Sequence, residues 1–443
     1  MPFFAKFRER CSSFYNRLWT ELEHVKVIDT HEHTTPPGQW PETIEKSGVM
    51  LPHVFNGSYL SPVVEKAGAY KEWIAQLDKY KHTGYYKSMA WAIDELYGLE
   101  PPMTENYFQK LETLLKEAYS SDPVGHVKDI FENKMHVEAA ILNIGFEEHV
   151  ESSKKIPAFK AAAPLPQILD GILVPKTITP ASGTVYKFAA SHLNMQASDF
   201  KRFDDYVEAT TKLLEYIKTS GNYMCHKNQC AYTRPLYFPE PDDDVSRVAK
   251  FYNKNGCSQE ELWKFGDYMF HYILEWTAMH WRVPVQMHTG LARMLFGDSN
   301  AINASHLFEK FPDLKFDLFH GNFPYNNLAG MLHQIPNVYA DLCWLPIISP
   351  TAAVRTLVEL LEVGGHMAGR EDDATPALRT SVFGGDCRVA EGSYGALLMA
   401  KDVVIRAIED LHNRGHVASE ADAVQLAEQL LYSNPKRLFF SRA

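Results

Sequence analysis

The period of the hydrophobic pattern changes several times along the chain, and each change predicts an element. Residues 3–24 carry Phe4, Phe7, Cys11, Phe14, Leu18 and Leu22 at spacings of three and four, the stripe of an amphipathic helix. A β-branched pair then opens the run Val27-Ile28-Asp29-Thr30-His31-Glu32-His33, which reads as a buried strand delivering polar side chains at its end. The stretch that follows, with Pro36, Pro37, Gly38, Pro41 and Pro52, predicts a binding loop over residues 34–61. Residues 63–133 return to helical spacing, with helices expected over Glu65–Tyr80, Lys87–Leu96 and Glu105–Tyr119 and no comparable strand between them.

From residue 135 strands and helices alternate. Strands are expected over 136–142, 159–164, 223–228, 283–290, 315–322, 338–344 and 381–387, with helices over 199–218, 259–281, 303–310, 326–334, 352–363 and 394–412 and a closing helical pair over 420–431 and 435–440. Such alternation produces right-handed βαβ units and a parallel sheet. His288, His320, Trp344 and Asp386 fall at the C-terminal ends of the last four strands, the end at which a parallel barrel gathers its site. The rival, an open doubly wound sheet, usually carries a Gly-rich phosphate loop after an early strand, and the sequence has none. The expected fold is α/β, a distorted (β/α)8 TIM barrel with a helical insertion after strand 1. Its parts would be an N-terminal helix over 1–24 packed on the barrel, the barrel over 25–62 and 134–443, and a helical cap over 63–133.

Composition narrows the partners more than the fold. The 443 residues are 45% hydrophobic, enough for a large core, and the net charge of −11 disfavours nucleic acid and anionic membrane surfaces. Six scattered cysteines suggest a reducing compartment without a disulfide framework. Lys6, Arg8, Arg10 and Arg17 interrupt the N-terminal apolar residues, unlike a signal peptide, and no run reaches membrane-spanning length. A cytoplasmic protein acting on a small molecule is expected; self-association stays open, given the aromatic-rich insertion.

The candidate chemistry begins at His31 and His33. Two residues apart on a strand, they share a face and can converge on one ion, with Asp29 beneath them and Glu32 turned outward. With His288 and Asp386 they would supply three imidazole nitrogens and a carboxylate, a set suited to Zn²⁺ with a position open for water. Asp386 could also take that water's proton, and His320 could polarise a substrate carbonyl or hold a second ion. Trp344 would form part of the substrate wall.

Taken together, Asp29-Thr30-His31-Glu32-His33, Gln286-Met287-His288-Thr289-Gly290, Phe319-His320-Gly321-Asn322-Phe323-Pro324 and Gly384-Gly385-Asp386 resemble, in that order, the motifs of the amidohydrolase superfamily. The similarity covers the chain from residue 25 onward and lies in the branch of metal-dependent hydrolases and decarboxylases, more distantly with uronate isomerase. It implies a distorted (β/α)8 barrel, one or two divalent ions and, most often, hydrolysis. It also implies a role for Lys227 on the fourth strand, either as a carboxylated bridge between two ions or as an amine that binds an anionic substrate. Asp386-Cys387-Arg388 is similar to the isomerase's Asp-x-Arg, in which the arginine holds the sugar acid; Arg388, with Arg234 as second candidate, would bind a substrate carboxylate here. A surface salt bridge from Arg388 to Glu391 is the competing assignment. Within that resemblance His320 points away from the isomerase and toward hydrolytic or decarboxylating relatives, and the expected reaction is hydrolysis of an ester, lactone or amide carbon. Uronate isomerisation or decarboxylation is the alternative, and a barrel retained only for binding is a third.

Overall fold

The computed structural model describes residues 3–34, 51, 54–55, 60, 69–143, 155–169, 184–241, 258–292, 297–364 and 375–441. Eight parallel strands lie side by side in chain order: β1 Val27–Glu32, β2 Val137–Leu142, β3 Phe159–Pro164, β4 Tyr223–Asn228, β5 Val285–Met287, β6 Phe316–Leu318, β7 Val338–Asp341 and β8 Thr380–Ser381. Backbone bonds beyond β8 close the ring, from Thr30 N–H to Phe383 O (3.1 Å), from Asp386 N–H to His31 O (2.9 Å) and from His33 N–H to Cys387 O (3.1 Å). The expected (β/α)8 barrel is thus observed. Parallel strands covered by helices are buried on both faces, and all six residues of β1 are buried, charged ones included. β5 to β8 are shorter than the apolar runs suggested, because their last residues leave the ladder and turn into the site.

Pairing of β1 with β2 slips: Asp29 lies opposite Ala140 and Glu32 opposite Leu142, so three steps on β1 match two on β2. The extra residue, at Thr30-His31, is a bulge of the kind that re-aims side chains beside sites.

The N-terminal stripe forms two helices, α1 Phe3–Arg8 and α2 Ser13–Leu22, where one was expected over 3–24. Ser12 breaks it by capping α2, its Oγ accepting from Tyr15 N–H at 2.9 Å. Between β1 and β2 stand α3 Tyr70–Tyr80, α4 Gly84–Tyr97, α5 Glu105–Ser121 and α6 Pro123–Lys128. Among the helices after β3 are α7 Thr184–His192, α8 Phe203–Ser220, α9 Gln259–His280, α10 Ser305–Lys310, α11 Leu328–Gln334, α12 Leu345–Ile348, α13 Pro350–Glu362, α14 Ala390–Asn413, α15 Glu420–Glu428 and α16 Asn434–Phe440. Two glycines seat the insertion on the barrel. A Cβ on Gly84 would lie 2.2 Å from Ile347 O in α12, and one on Gly395 in α14 would lie 2.5 Å from Ser88 O in α4. A buried polar knot adds to this: Glu391 of α14 accepts from Tyr97 (2.7 Å) and from Tyr119 (2.9 Å) and meets His126 Nε2 at 3.3 Å. The expected binding loop over 34–61 falls for the most part outside the described residues. No helix among the described residues is long and apolar enough to cross a membrane.

Candidate metal centre and active site

The closure of β1 on β8 brings the first three expected ligands together. His31 Nε2 and His33 Nε2 lie 3.4 and 3.2 Å from the same oxygen, Oδ1 of Asp386. The two rings stand nearly perpendicular with centroids 4.8 Å apart, nearer than a regular strand would hold residues two apart, as the bulge allows. Burial would raise the Asp386 carboxyl, but hydrogen bonding and proximity to His31 and His33 outweigh it and hold the group well below the usual range. Burial, with Lys227 nearby, pushes His31 well down. A carboxylate and two imidazoles within ligand-to-ligand spacing form a donor set suited to a dication.

The fifth and sixth strands add a second pair. His288 Nε2–H donates to Leu291 O and His320 Nδ1–H to Cys343 O, both at 2.9 Å. Carbonyl oxygens only accept, so in neutral rings the remaining nitrogens carry lone pairs. Those nitrogens, His288 Nδ1 and His320 Nε2, face each other at 3.0 Å. Burial lowers both rings, His320 to about 4, which keeps them neutral near pH 7. Two opposed lone pairs at this distance are favourable only with a cation between or beside them, so this pair too fits a metal.

Lys227 is fully buried, its Nζ 3.5 Å from the centre of the Phe319 ring and without a hydrogen-bond partner among the described residues. Its neighbour His226 points into the helical layer, meeting Thr277 Oγ1 at 2.9 Å, which fixes the register and turns Lys227 into the barrel. Burial lowers the ammonium to about 8 against the pull of Cys343, Asp386 and Asp317. Trp344, half-buried, sets its ring 5.1 Å from that of His320, and the ring of Tyr232 lies 4.5 Å from that of His288, tilted by 50°. Arg388 is exposed, and Glu391, its competing partner, is committed to Tyr97, Tyr119 and His126.

Arg234 requires a correction. Its guanidinium is buried, paired with Asp267 and bonded to the carbonyls of Trp263 (3.0 Å) and Tyr237 (3.1 Å), so it holds a loop together and offers no donor to a substrate. Glu32 is turned away from the histidine rings, as expected, and meets buried partners there. Fully buried, its Oε1 accepts from His33 N–H (2.8 Å) and Cys387 N–H (2.7 Å), and its Oε2 from Ser393 Oγ (2.5 Å). Asp29 takes the place expected beneath the histidines, with Oδ1 accepting from His31 N–H and Gly385 N–H, both at 3.2 Å. Sequence reasoning also passed over Tyr85, on the first turn of α4, which has Asp386, Cys387, Tyr232 and Trp344 for neighbours; burial and the Asp386 charge raise its hydroxyl. No pattern in the sequence links residue 85 to residue 386.

Residues 256–366, which include His288 and His320, match the amidohydrolase family model. Protein fluG of Emericella nidulans is 29% identical over 165 residues, a match spanning 35% of this chain and 17% of that protein's length. Among solved structures, the fold is similar to that of a uronate isomerase from Thermotoga maritima (TM-score 0.68, 14% identity, 97% of this chain and 98% of that one). It is similar also to a Lactobacillus casei protein provisionally described as a metal-dependent hydrolase (TM-score 0.63, 16% identity, 95% and 97%).

Proposed function

We propose that the chain is a metal-dependent hydrolase that directs water at the ester, lactone or amide carbon of a small, carboxylate-bearing substrate. The observation that carries this function is the convergence of His31 and His33 on one oxygen of Asp386. His31, His33 and Asp386 would hold the first ion, with His288 and His320 as donors beside it. A divalent ion, zinc foremost for this donor set, supplies Lewis acidity that polarises a carbonyl and acidifies water. Asp386, kept ionised by its histidine neighbours, takes the proton from the attacking water. His320, held by its bond to Cys343 O, presents its Nε2 lone pair to the pocket, where it would hold an ion. Trp344, Tyr85 and Tyr232 provide an aromatic rim, while Lys227 and the exposed Arg388, which has no ion-pair partner among the described residues, are the cations that would receive an anion.

Arg388, two residues after Asp386, also favours a second reading, isomerisation of a uronic acid. Elemental analysis of protein purified without added metal is expected to find one or two equivalents of a divalent ion. The His31→Ala/His33→Ala variant, its fold checked by circular dichroism, is expected to lose at least one. Turnover of lactones or esters with uronates untouched supports hydrolysis, whereas conversion of uronate to ketose overturns it. Absence of metal overturns both.

A further inference from the structure

We infer that the pocket holds a second cation site formed by Cys343, His320 and Asp386, in which the Cys343 thiolate is a ligand. The inference rests on Asp386 as ligand of the first ion and extends that site. The donor atoms of the three residues lie within 4.8 Å of one another, and all three side chains are buried.

A buried cysteine is usually a small hydrophobe, but Cys343 is held among donors. Its N–H donates to Asp341 Oδ1 at 2.8 Å and its C=O accepts from His320 Nδ1 at 2.9 Å, so the backbone that carries the sulfur is clamped on both sides. A Cβ on Gly384 would lie 2.8 Å from both Cβ and Sγ of Cys343, so only glycine at 384 leaves room for the thiol beside the exit of β8. The exits of β6, β7 and β8 are each strained: His320 (φ 66°), Trp344 (φ 65°) and Asp386 (φ 50°) adopt left-handed backbone, at a cost of about 1–3 kcal/mol apiece. Strain of that kind persists where surrounding structure imposes it, and here it falls on two of the three donors, His320 and Asp386, and on the residue that follows the third. His320 Nε2, its lone pair set against His288 Nδ1 at 3.0 Å, gains a cation to bind.

A site of thiolate, imidazole and carboxylate selects zinc or cobalt over magnesium or calcium, which prefer oxygen. Binding deprotonates the thiol, so one proton leaves as the dication enters. Asp386 has two oxygens and can serve both ions, Oδ1 being the one that meets His31 and His33. The bridging role that sequence similarity offered to a carboxylated Lys227 thereby passes to Asp386.

The test is cobalt loading of the metal-free full-length protein, read by stoichiometry and by absorption. Two equivalents of Co²⁺ with a near-ultraviolet thiolate-to-cobalt charge-transfer band are expected. Cys343→Ser is expected to bind one equivalent, lose the band and keep the visible d–d bands of the first ion; Cys343→Ala carries the same expectation should the serine variant fail to fold. Cys387→Ser, which removes the other thiol near Asp386, is expected to keep both ions and the band. One equivalent in the wild type, with or without the band, or two equivalents in Cys343→Ser, overturns the second site and leaves the first intact. Failure to bind any cobalt overturns both.

Discussion

Glu32 makes no contact with an ion in the proposed site, yet its removal is expected to weaken metal binding sharply. Its carboxylate ties the exit of β1, through His33 N–H, to the exit of β8, through Cys387 N–H, and hence sets the spacing between His33 and Asp386. Glu32→Ala leaves two buried amides without an acceptor at about 1–3 kcal/mol each, a loss of about 2–6 kcal/mol in stability. Partners that orient ligands from behind are worth about 10–100-fold in metal affinity. Glu32→Gln keeps Oε1 as the acceptor for both amides, and its new N–H can donate to Ser393 Oγ, which turns its own proton to Val389 O at 3.2 Å. The glutamine variant is therefore expected to bind zinc nearly as the wild type does. Chelator competition gives the affinity, and urea unfolding of the metal-free protein gives the stability separately. An alanine variant that is destabilised but binds zinc normally would refute the positioning role. A glutamine variant as damaged as the alanine one would show that charge, and not the paired hydrogen bonds, is what matters.

Two further perturbations test the frame around the site. Lys401 of α14 is buried, donates to Leu22 O at 2.7 Å, and is lowered by burial to about 8 from an ordinary 10.5, Glu23 opposing only in part. Between those values the unfolded chain holds more protons than the folded one, so this group makes stability rise with pH, by up to about 3 kcal/mol across the window. Unfolding free energies at pH 8 and pH 10 should show the rise in the wild type and lose it in Lys401→Met; equal slopes would refute it. Glu391→Gln removes the charge that Tyr97, Tyr119 and His126 share and should cost about 1–3 kcal/mol, with earlier protease cleavage in α4 to α6. An unchanged unfolding midpoint would mean that the knot does not hold the insertion.

The barrel was legible because its strongest signals are periodic. Apolar runs ending in His288, His320 and Asp386 marked strand exits, and the helical spacing of 63–133 left no room for a strand. What was lost follows from properties that a linear pattern does not carry. Arg234 and Arg388 look alike in sequence; only the fold sets Asp267 against one and leaves the other exposed. Cys343 and Tyr85 reach the pocket through the packing of elements distant in the chain. Glu32 shows the reason most clearly. Two-residue alternation correctly turned it away from the histidines, but in a (β/α)8 barrel the outward face of a strand meets helices rather than water. The bulge at Thr30-His31 then brings it beneath the first turn of α14, where Ser393 and the β8 exit receive it. A carboxylate that leaves the pocket in such a fold must still find buried partners, and at the end of β1 those available are the backbone amides that set the metal ligands.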